Sequence, residues 1–298
     1  MGQTRRGRAL HGGALRPGRG RRAANLGRMD APTPPRALTI AGSDSGGGAG
    51  IQADLKAFAA CGVHGMTAIT AITAQNTLEV SAIHQIPPET IIAQVRAVVS
   101  DIGVDAVKIG MLGTAETIDA VVQALDLLPP ATPVVVDPVM VSESGAVLLD
   151  PAAMISLVSR LLPRATVVTP NIPEARAIAA LAGDSTGREE VEGLARAIHA
   201  LGPTAVVVTG GHRASAADVF FDASGVAEIP GERFPDGAAH GSGCTHSSVL
   251  AARLAWGDSP LEAAREAKRL ASGAVADGLR GIGAGTGPVD VLGIARRG

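Results

Sequence analysis

Aromatic side chains are scarce in this chain of 298 residues, which has no tyrosine, one tryptophan and four phenylalanines. Hydrophobic residues still make up 46% of the chain, so its core must be mainly aliphatic. Aliphatic cores are typical of buried parallel strands that are covered by helices. The sequence also lacks an apolar run of the roughly 18 residues that span a bilayer, so we expect no membrane partner.

Cysteine is scarce as well. Cys61 and Cys244 are the only two cysteines, they lie far apart, and neither has metal-ligating neighbours in the sequence. This pattern argues against both a disulfide framework and a zinc site. Two unpaired thiols favour a reducing, cytoplasmic location.

Acidic residues are missing from the beginning of the chain. Residues 1–28 contain eight arginines and no acidic residue, whereas the remainder holds 18 basic and 28 acidic residues. A body this acidic argues against nucleic acid as its partner. Residues 1–30 are rich in Gly and Arg and have no apolar periodicity, so we expect a disordered extension. Met29 precedes the first apolar segment, and our interpretation is that the extension is not natively translated rather than a transit peptide.

A first glycine-rich stretch, residues 42–50, follows a short apolar strand at residues 36–41 and precedes a predicted helix at residues 51–61. This order of strand, loop and helix brings backbone close to a ligand. The loop has neither the dinucleotide fingerprint nor the Gly-Lys-[Ser/Thr] of a Walker A loop. Asp54 falls in the first turn of the helix, where it either faces the loop or interacts with the helix dipole.

A second glycine-rich stretch, Gly241-Ser242-Gly243-Cys244-Thr245, precedes a helix of small residues that runs to residue 256. Its glycines allow a tight turn, and the unpaired N–H groups at a helix start form a site for an anion. The same field stabilises a thiolate. We therefore expect the pKa of Cys244 to be lowered and its thiol to react quickly with iodoacetamide.

Strands and helices alternate between the two glycine-rich stretches. The predicted strands cover residues 66–74, 105–109, 133–136, 165–169 and 205–209, and the predicted helices cover residues 88–100, 114–127, 151–162, 173–182 and 188–201. A hairpin over residues 218–229 and two helices, at residues 242–256 and 260–279, follow. The alternation predicts one three-layer α/β domain over residues 36–298, with a mostly parallel central sheet and helices on both faces.

Polar residues fall at the ends of these strands, facing one edge of the predicted sheet. They are Gln75, Asp137, Asn171, Glu174 and Gly210. Ligands of open α/β sheets bind at this edge. Amides, carboxylates for a metal and an anion site together indicate phosphoryl transfer without a Walker loop.

Seven segments carry a family resemblance: Ala37-Leu-Thr-Ile-Ala-Gly-Ser-Asp-Ser-Gly-Gly-Gly-Ala-Gly-Ile-Gln-Ala-Asp-Leu-Lys56, Ala74-Gln-Asn-Thr77, Lys108-Ile-Gly-Met-Leu112, Asp137-Pro-Val-Met140, Thr169-Pro-Asn-Ile-Pro-Glu-Ala175, Gly210-Gly-His212 and His240-Gly-Ser-Gly-Cys-Thr245. Together they resemble the hydroxymethylpyrimidine/phosphomethylpyrimidine kinases of thiamine biosynthesis, members of the ribokinase-like superfamily. The resemblance extends from residue 36 to about residue 290.

The resemblance implies a ribokinase-like kinase domain that uses ATP and Mg²⁺ to phosphorylate 4-amino-5-hydroxymethyl-2-methylpyrimidine and then its monophosphate. It implies that Cys244 acts on the substrate hydroxyl as a base or polar neighbour, while Gly241, Ser242 and Gly243 hold the phosphoryl group. Its substrate-binding positions are Gly42, Asp54, Gln75 and Met111. Its ATP positions are Asn171, Glu174, Thr209, Gly210 and Gly211, with Glu174 also implied as a ligand of Mg²⁺. The family also suggests a homodimer.

The chain departs from the family pattern near the implied nucleotide end. Thr209 stands where the family commonly has Lys, Glu143 stands where it often has Lys, and Ala238 and Ala239 replace an Asn-Thr pair. Two cations are therefore missing there. His246 is unusual as well, and we expect it on the helix surface.

Two alternatives remain open from the sequence: a pyridoxal/pyridoxine kinase, and a catalytically silent regulator that binds a pyrimidine. The amide of Gln75 suits the edge of a pyrimidine better than a pyridine phenol, because it offers a donor and an acceptor. The presence of Cys244, Asn171 and Glu174 argues against a silent regulator.

Overall fold

The computed structural model describes residues 33–182, 190–210, 216–235 and 237–296, which contain ten strands and eight α-helices. The strands are β1 Arg36–Ala41, β2 His64–Ile69, β3 Ala71–Gln75, β4 Val80–Gln85, β5 Ala106–Ile109, β6 Val134–Val136, β7 Val167–Val168, β8 Ala205–Val208, β9 Asp218–Asp222 and β10 Gly225–Ile229. Eight of them form one sheet in the order β10-β9-β8-β7-β6-β5-β1-β2. All pairs from β2 to β8 are parallel, and β9 and β10 add an antiparallel edge.

Helices cover both faces of this sheet. They are α1 Gly50–Ala60, α2 Pro88–Asp101, α3 Ala115–Leu125, α4 Pro151–Ser156, α5 Ile172–Leu181, α6 Val191–His199, α7 Ser242–Ala255 and α8 Pro260–Ala276. One apolar core joins the sheet to α2–α6, and a second joins it to α1, α7 and α8. The predicted α/β fold with a mostly parallel sheet and helices on both faces is confirmed.

The strand that we predicted over residues 66–74 is wrong in one respect, because it divides at Thr70 into β2 and β3. Here β2 pairs with β1 in the main sheet, whereas β3 pairs only with β4 in a separate two-stranded sheet. Thr70 is buried, and its hydroxyl donates to the carbonyl oxygen of Met111 at 2.8 Å. This long-range hydrogen bond holds the chain where it leaves the main sheet.

The predicted helix over residues 151–162 keeps regular α-helical form only as far as Ser156. It continues as a π turn, Leu157–Leu161, and a 3₁₀ turn, Leu162–Arg164. Pro163 lies in the last turn and has no N–H to donate, so the helix ends there.

Pro34–Gly298 is one compact unit. Within the described ranges, no helix is both long enough and apolar enough to cross a membrane. The predicted disordered extension, residues 1–30, lies outside the described residues.

Candidate active site

Two glycine loops meet at the carboxyl edge of the sheet, one between β1 and α1 and the other directly before α7. Gly241 is the N-cap of α7, and its φ of +83° lies in the left-handed region that favours glycine. A Cβ on Gly241 would overlap the carbonyl oxygen of Gly48, and a Cβ on Gly48 would overlap the ring of His240. Both Gly241 and Gly48 must therefore be glycine, because the two loops are in direct backbone contact and leave no room for a Cβ.

Asp44 holds the first loop together and links it to the second. Its Oδ1 accepts the N–H of Gly46 at 2.8 Å, and its Oδ2 accepts those of Gly48 at 3.0 Å and Ala49 at 2.8 Å. The Nε2 of His240 lies 3.0 Å from the same Oδ2. Burial raises the pKa of Asp44, but the hydrogen bonds from His240 and the loop outweigh burial, and the pKa lies below its ordinary value. The ionised carboxylate joins two loops that are 196 residues apart.

A cavity of about 480 Å³ opens where the two loops meet. Most of the predicted site residues line it, namely Gly42, Gln75, Met111, Asn171, Glu174, Thr209, Gly241, Ser242, Gly243 and Cys244. Asp54 and Gly210 do not line it. Gly211 lies outside the described residues.

The start of α7 supplies the anion-binding part of this cavity. Ser242 donates its N–H to Ala239 at 3.0 Å, and Thr245 donates to Gly241 at 2.9 Å. The N–H groups of Gly243 and Cys244 occupy helix positions that have no intrahelical acceptor. These groups and the helix dipole make the α7 start suitable for a phosphoryl group.

Gly42, Met111 and Gln75 form one end of the cavity. A Cβ on Gly42 would lie 3.2 Å from the Sδ of Met111, so a side chain there would crowd the thioether. Gln75 ends β3, and its backbone exchanges two hydrogen bonds with the Ser45 hydroxyl, at 2.7 and 2.8 Å. Its Oε1 accepts from the hydroxyl of Thr73 at 3.2 Å. Among the described residues its Nε2 has no partner, so the amide nitrogen is available to a ligand.

Asp54 does not contact the cavity, contrary to our expectation. Its side chain is fully buried, and its Oδ1 accepts from Lys108 Nζ at 2.9 Å and from the Ser248 hydroxyl at 2.7 Å. Its Oδ2 accepts from the Thr39 hydroxyl at 2.6 Å. The carboxylate points into the protein because its three partners lie on β1, β5 and α7, beneath the site.

Lys108 is a component of the site that we did not predict. Burial lowers the pKa of this ammonium, but the charge of Asp54, followed by those of Cys244 and Asp137, raises it above its ordinary value. Lys108 therefore stays protonated and provides a fixed positive charge under the start of α7. The available signal was a lysine in the short apolar strand Ala106–Ile109, where a charge requires a partner.

The expected low pKa of Cys244 is wrong. Burial raises the pKa of this thiol to about 12, and the charges of Asp137 and Asp54 add to burial, whereas Lys108 lowers the pKa. The field at the helix start does not outweigh these effects, so Cys244 carries its proton at neutral pH. Burial likewise raises the pKa of Cys61 to about 11. Fast alkylation of Cys244 is therefore not expected either.

Two carboxyl groups, those of Asp137 and Glu174, face the same cavity. Burial raises the pKa of both, and the charge of Asp137 raises that of Glu174 further, to about 8. Asp137 follows β6, and its Oδ2 accepts from the Ser247 hydroxyl at 2.9 Å. Glu174 and Asn171 form a capping box at the start of α5, with both hydrogen bonds at 2.9 Å. In the described part of the chain, no cluster of three or more acidic, His or Cys side chains is arranged to hold a metal.

The end of β8 forms the other end of the cavity. Thr209 lines it, whereas Gly210 is buried and donates its N–H to Asp218 Oδ1 at 2.8 Å, so this N–H is not free for an anion. A Cβ on Gly210 would overlap the carbonyl oxygen of Ala217. His246 is buried and lines the cavity, so its expected place on the helix surface is wrong.

The carboxyl edge of the sheet thus carries an anion site, two carboxyl groups and a pocket for a small ring. Phosphoryl transfer without a Walker loop is the chemistry that this edge supports, and it defines the protein as a kinase of the ribokinase-like class. A family model described as phosphomethylpyrimidine kinase matches residues 44–290. The chain belongs to the phosphomethylpyrimidine kinase family.

The individual proteins to which this chain is similar are named as kinases of a pyrimidine or of pyridoxal. The hydroxymethylpyrimidine/phosphomethylpyrimidine kinase of Rhizobium meliloti is 49% identical over 259 residues, which cover 85% of this chain and 95% of that protein. The pyridoxal kinase of Staphylococcus aureus, solved in complex with ADP, has a TM-score of 0.79 and 35% identity, covering 89% of this chain and 96% of that one. The phosphomethylpyrimidine kinase of Clostridium difficile has a TM-score of 0.68 and 41% identity, covering 78% and 96%.

Proposed function

We propose that the protein transfers the γ-phosphoryl group of ATP to the hydroxymethyl group of 4-amino-5-hydroxymethyl-2-methylpyrimidine, and then phosphorylates the monophosphate. One observation carries this proposal: a single cavity contains both the N–H groups at the start of α7 and the small pocket of Gly42, Gln75 and Met111. Two relatives that are 44% and 45% identical are named as thiamine biosynthesis bifunctional enzymes, which supports a role in thiamine biosynthesis.

The protein's own groups act through charge and position. The N–H groups of Gly243 and Cys244 stabilise negative charge on the phosphoryl group. Lys108 adds a fixed positive charge below them. We propose that the Sγ of Cys244 lies against the substrate hydroxyl and accepts its proton.

The direct test is ATP consumption with three acceptors: the pyrimidine alcohol, its monophosphate and pyridoxal. We expect turnover of both pyrimidines, with a lower kcat/KM for pyridoxal. Turnover of pyridoxal alone would instead support the pyridoxal kinase reading, which the likeness to the S. aureus enzyme keeps as the second candidate. Binding of the pyrimidine without ATP consumption would support the silent regulator.

Gln75→Ala should weaken binding of the pyrimidine by about 1–3 kcal/mol, because buried ring atoms of the ligand lose their hydrogen-bond partner. The KM for the pyrimidine alcohol measures this effect, and the KM for pyridoxal should change less. Gln123→Ala, on the exposed side of α3, is the matched control. Equal losses for both acceptors would assign Gln75 a structural role.

We propose that Glu174, together with Asp137, holds Mg²⁺. Burial, followed by the charge of Asp137, raises the pKa of Glu174. A divalent cation would offset both effects, so the two buried carboxyl groups fit such an ion. Mg²⁺ commonly takes one or two protein carboxylates, with phosphate oxygens completing its shell. When bound, it would neutralise charge on the transferred group.

Glu174→Gln should raise the Mg²⁺ concentration needed for half-maximal activity by about tenfold or more. Glutamine can keep the capping box with Asn171, so the start of α5 remains intact. Glu116→Gln, in the first turn of α3, removes an exposed carboxylate and should leave the Mg²⁺ dependence unchanged. An unchanged dependence in Glu174→Gln would exclude Glu174 as a ligand.

We also propose that the protein is a cytoplasmic homodimer. The unpaired thiols of Cys61 and Cys244 favour a reducing compartment. Exposed apolar side chains on the β3–β4 sheet, Ile72 and Ile83, favour self-association through that sheet. Light scattering after size exclusion should give twice the chain mass at micromolar concentration. A monomer mass there would contradict the dimer.

A further inference from the structure

A second buried charge cluster lies at the β8–β9 end of the cavity, away from Lys108 and Asp54. Because β9 runs antiparallel to β8, Asp218 at its start lies at the same edge as Thr209. Asp218 Oδ1 accepts from Gly210 N–H at 2.8 Å and from Lys268 Nζ at 2.7 Å. On the other side of this carboxylate, Oδ2 lies 3.4 Å from Nε2 of His246.

Three polar atoms of this cluster have no hydrogen-bond partner among the described residues. They are Asp218 Oδ2 and both ring nitrogens of His246. An unpaired buried polar group is unfavourable and rare in folded proteins, so each of these atoms needs an explanation. The Nε2–Oδ2 pair would form a hydrogen bond if the two atoms approached by about 0.5 Å.

Lys268 is the lysine of this chain that is placed to reach a ligand. The chain has three lysines. Lys108 also lines the cavity, but its side chain is fully buried and its Nζ is paired with Asp54 Oδ1 at 2.9 Å. Lys56 lies outside the cavity, with Nζ donating to the carbonyl oxygen of Gly47. Lys268 lines the cavity, and its side chain is 11% exposed. Thr209, which lines the same cavity, carries no charge.

The position of Lys268 favours the nucleotide over the pyrimidine. Gly42 follows β1, which is five strand spacings from β9 in the sheet order. At about 4.8 Å per spacing, the two ends of the cavity lie about 24 Å apart. A cation at the β9 end is therefore remote from the small pocket and lies on the far side of the α7 start.

We propose that Lys268 binds the phosphate groups of the nucleotide, and that His246 then replaces it as the hydrogen-bond partner of Asp218. In the resting arrangement Lys268 is held by Oδ1, and Oδ2 has only the 3.4 Å contact with Nε2 of His246, which is not a hydrogen bond. When the ammonium turns to a phosphate oxygen, Nε2–H of His246 donates to Oδ2, so the buried carboxylate still has two donors, His246 and the N–H of Gly210. The exchange lowers the cost of releasing Lys268, and it accounts for the unpaired atoms on Asp218 and on Nε2. The inference rests on the proposed binding of a nucleotide in this cavity.

Calorimetric titration with ADP, without any pyrimidine, tests this exchange. Lys268→Met should raise the Kd for ADP by about 10- to 100-fold, and Lys268→Arg should restore most of the affinity. The Kd for adenosine, which has no phosphate, and the KM for the pyrimidine monophosphate should remain unchanged. Lys56→Met is the matched control outside the cavity.

His246→Leu tests the second half of the proposal, in which His246 acts on ADP through Lys268 and not by its own contact with the ligand. It should raise the Kd for ADP by about 3- to 10-fold, whereas the same change in the Lys268→Met background should have less than a twofold effect. His84→Leu, at an exposed histidine on β4, controls for the loss of an imidazole. If Lys268→Met does not fold, because it leaves the Asp218 carboxylate without its ammonium partner, the double variant Lys268→Met/Asp218→Asn removes that charge as well. The same titration with ADP can then be carried out on the double variant.

The outcomes separate this inference from the proposed function. No binding of ADP by the unsubstituted protein would overturn both. Binding of ADP that is unchanged in Lys268→Met would overturn the inference alone. Equal effects of His246→Leu in the presence and absence of Lys268 would overturn the exchange of partners.

Discussion

Lys108→Met should lower the thermal unfolding midpoint by about 10 °C, the largest effect that we expect on stability. Removing one partner of a buried ion pair costs about 3–5 kcal/mol, because the other charge is left buried and unpaired. Here the remaining charge is that of Asp54, which would keep the hydroxyl groups of Thr39 and Ser248 but lose its counter-ion. Differential scanning calorimetry measures the shift.

A double variant separates stability from activity. Asp54→Asn combined with Lys108→Met removes both charges, so it should regain most of the lost midpoint. It should remain poorly active if the fixed charge of Lys108 stabilises negative charge at the start of α7. Lys56→Met serves as the control. A midpoint shift below about 3 °C in the single variant would mean that the pair contributes little to stability.

The main sheet could be predicted because its signals are local. Short Val- and Ile-rich strands end at Gly, Pro or Asn, and each is followed by a helical pattern with a short connection. The division into β2 and β3 could not be predicted in this way. Residues 66–74 have the pattern of one apolar strand, and the break at Thr70 depends on a hydrogen bond to Met111, which lies 41 residues further on.

The roles of site residues were harder to predict where a charged side chain is paired with a residue that is distant in the sequence. The sequence locates Asp54 in the first turn of a helix, but Lys108, 54 residues away, determines that the carboxylate points inward. Gly210 similarly looks like a phosphate-binding glycine until Asp218 takes its N–H. Gly241, which the motif singles out because it needs no side chain, does line the cavity.

Cys244→Ala should lower kcat by about 10²–10⁴-fold if Sγ accepts the proton of the substrate hydroxyl. In this structure the base role has a high energetic cost, because the thiol is protonated at neutral pH. Burial raises the pKa of the thiol to about 12, so forming the thiolate at pH 7 costs about 7 kcal/mol. Only a minute fraction of the free protein holds the base in its active form.

This cost gives the base role a clear pH signature. The thiolate fraction rises about tenfold per pH unit below the pKa, so kcat of the unsubstituted protein should rise with pH between about 7 and 9. The corresponding profile of Cys244→Ala should be flat. Iodoacetamide should modify Cys244 and Cys61 slowly at pH 7, since both thiols are protonated.

Cys244→Ser distinguishes a base from a simple polar contact, because a serine hydroxyl keeps the contact but does not ionise in this pH range. If Sγ is the base, the serine variant should be nearly as slow as Cys244→Ala and its profile equally flat. If the serine variant retains most of kcat, the base role is wrong and Cys244 only positions the hydroxyl. The rate would then come from the N–H groups at the start of α7, the charge of Lys108 and a cation at Asp137 and Glu174. In a loose transition state the hydroxyl becomes acidic only as the phosphoryl group arrives, so such a site needs no strong base.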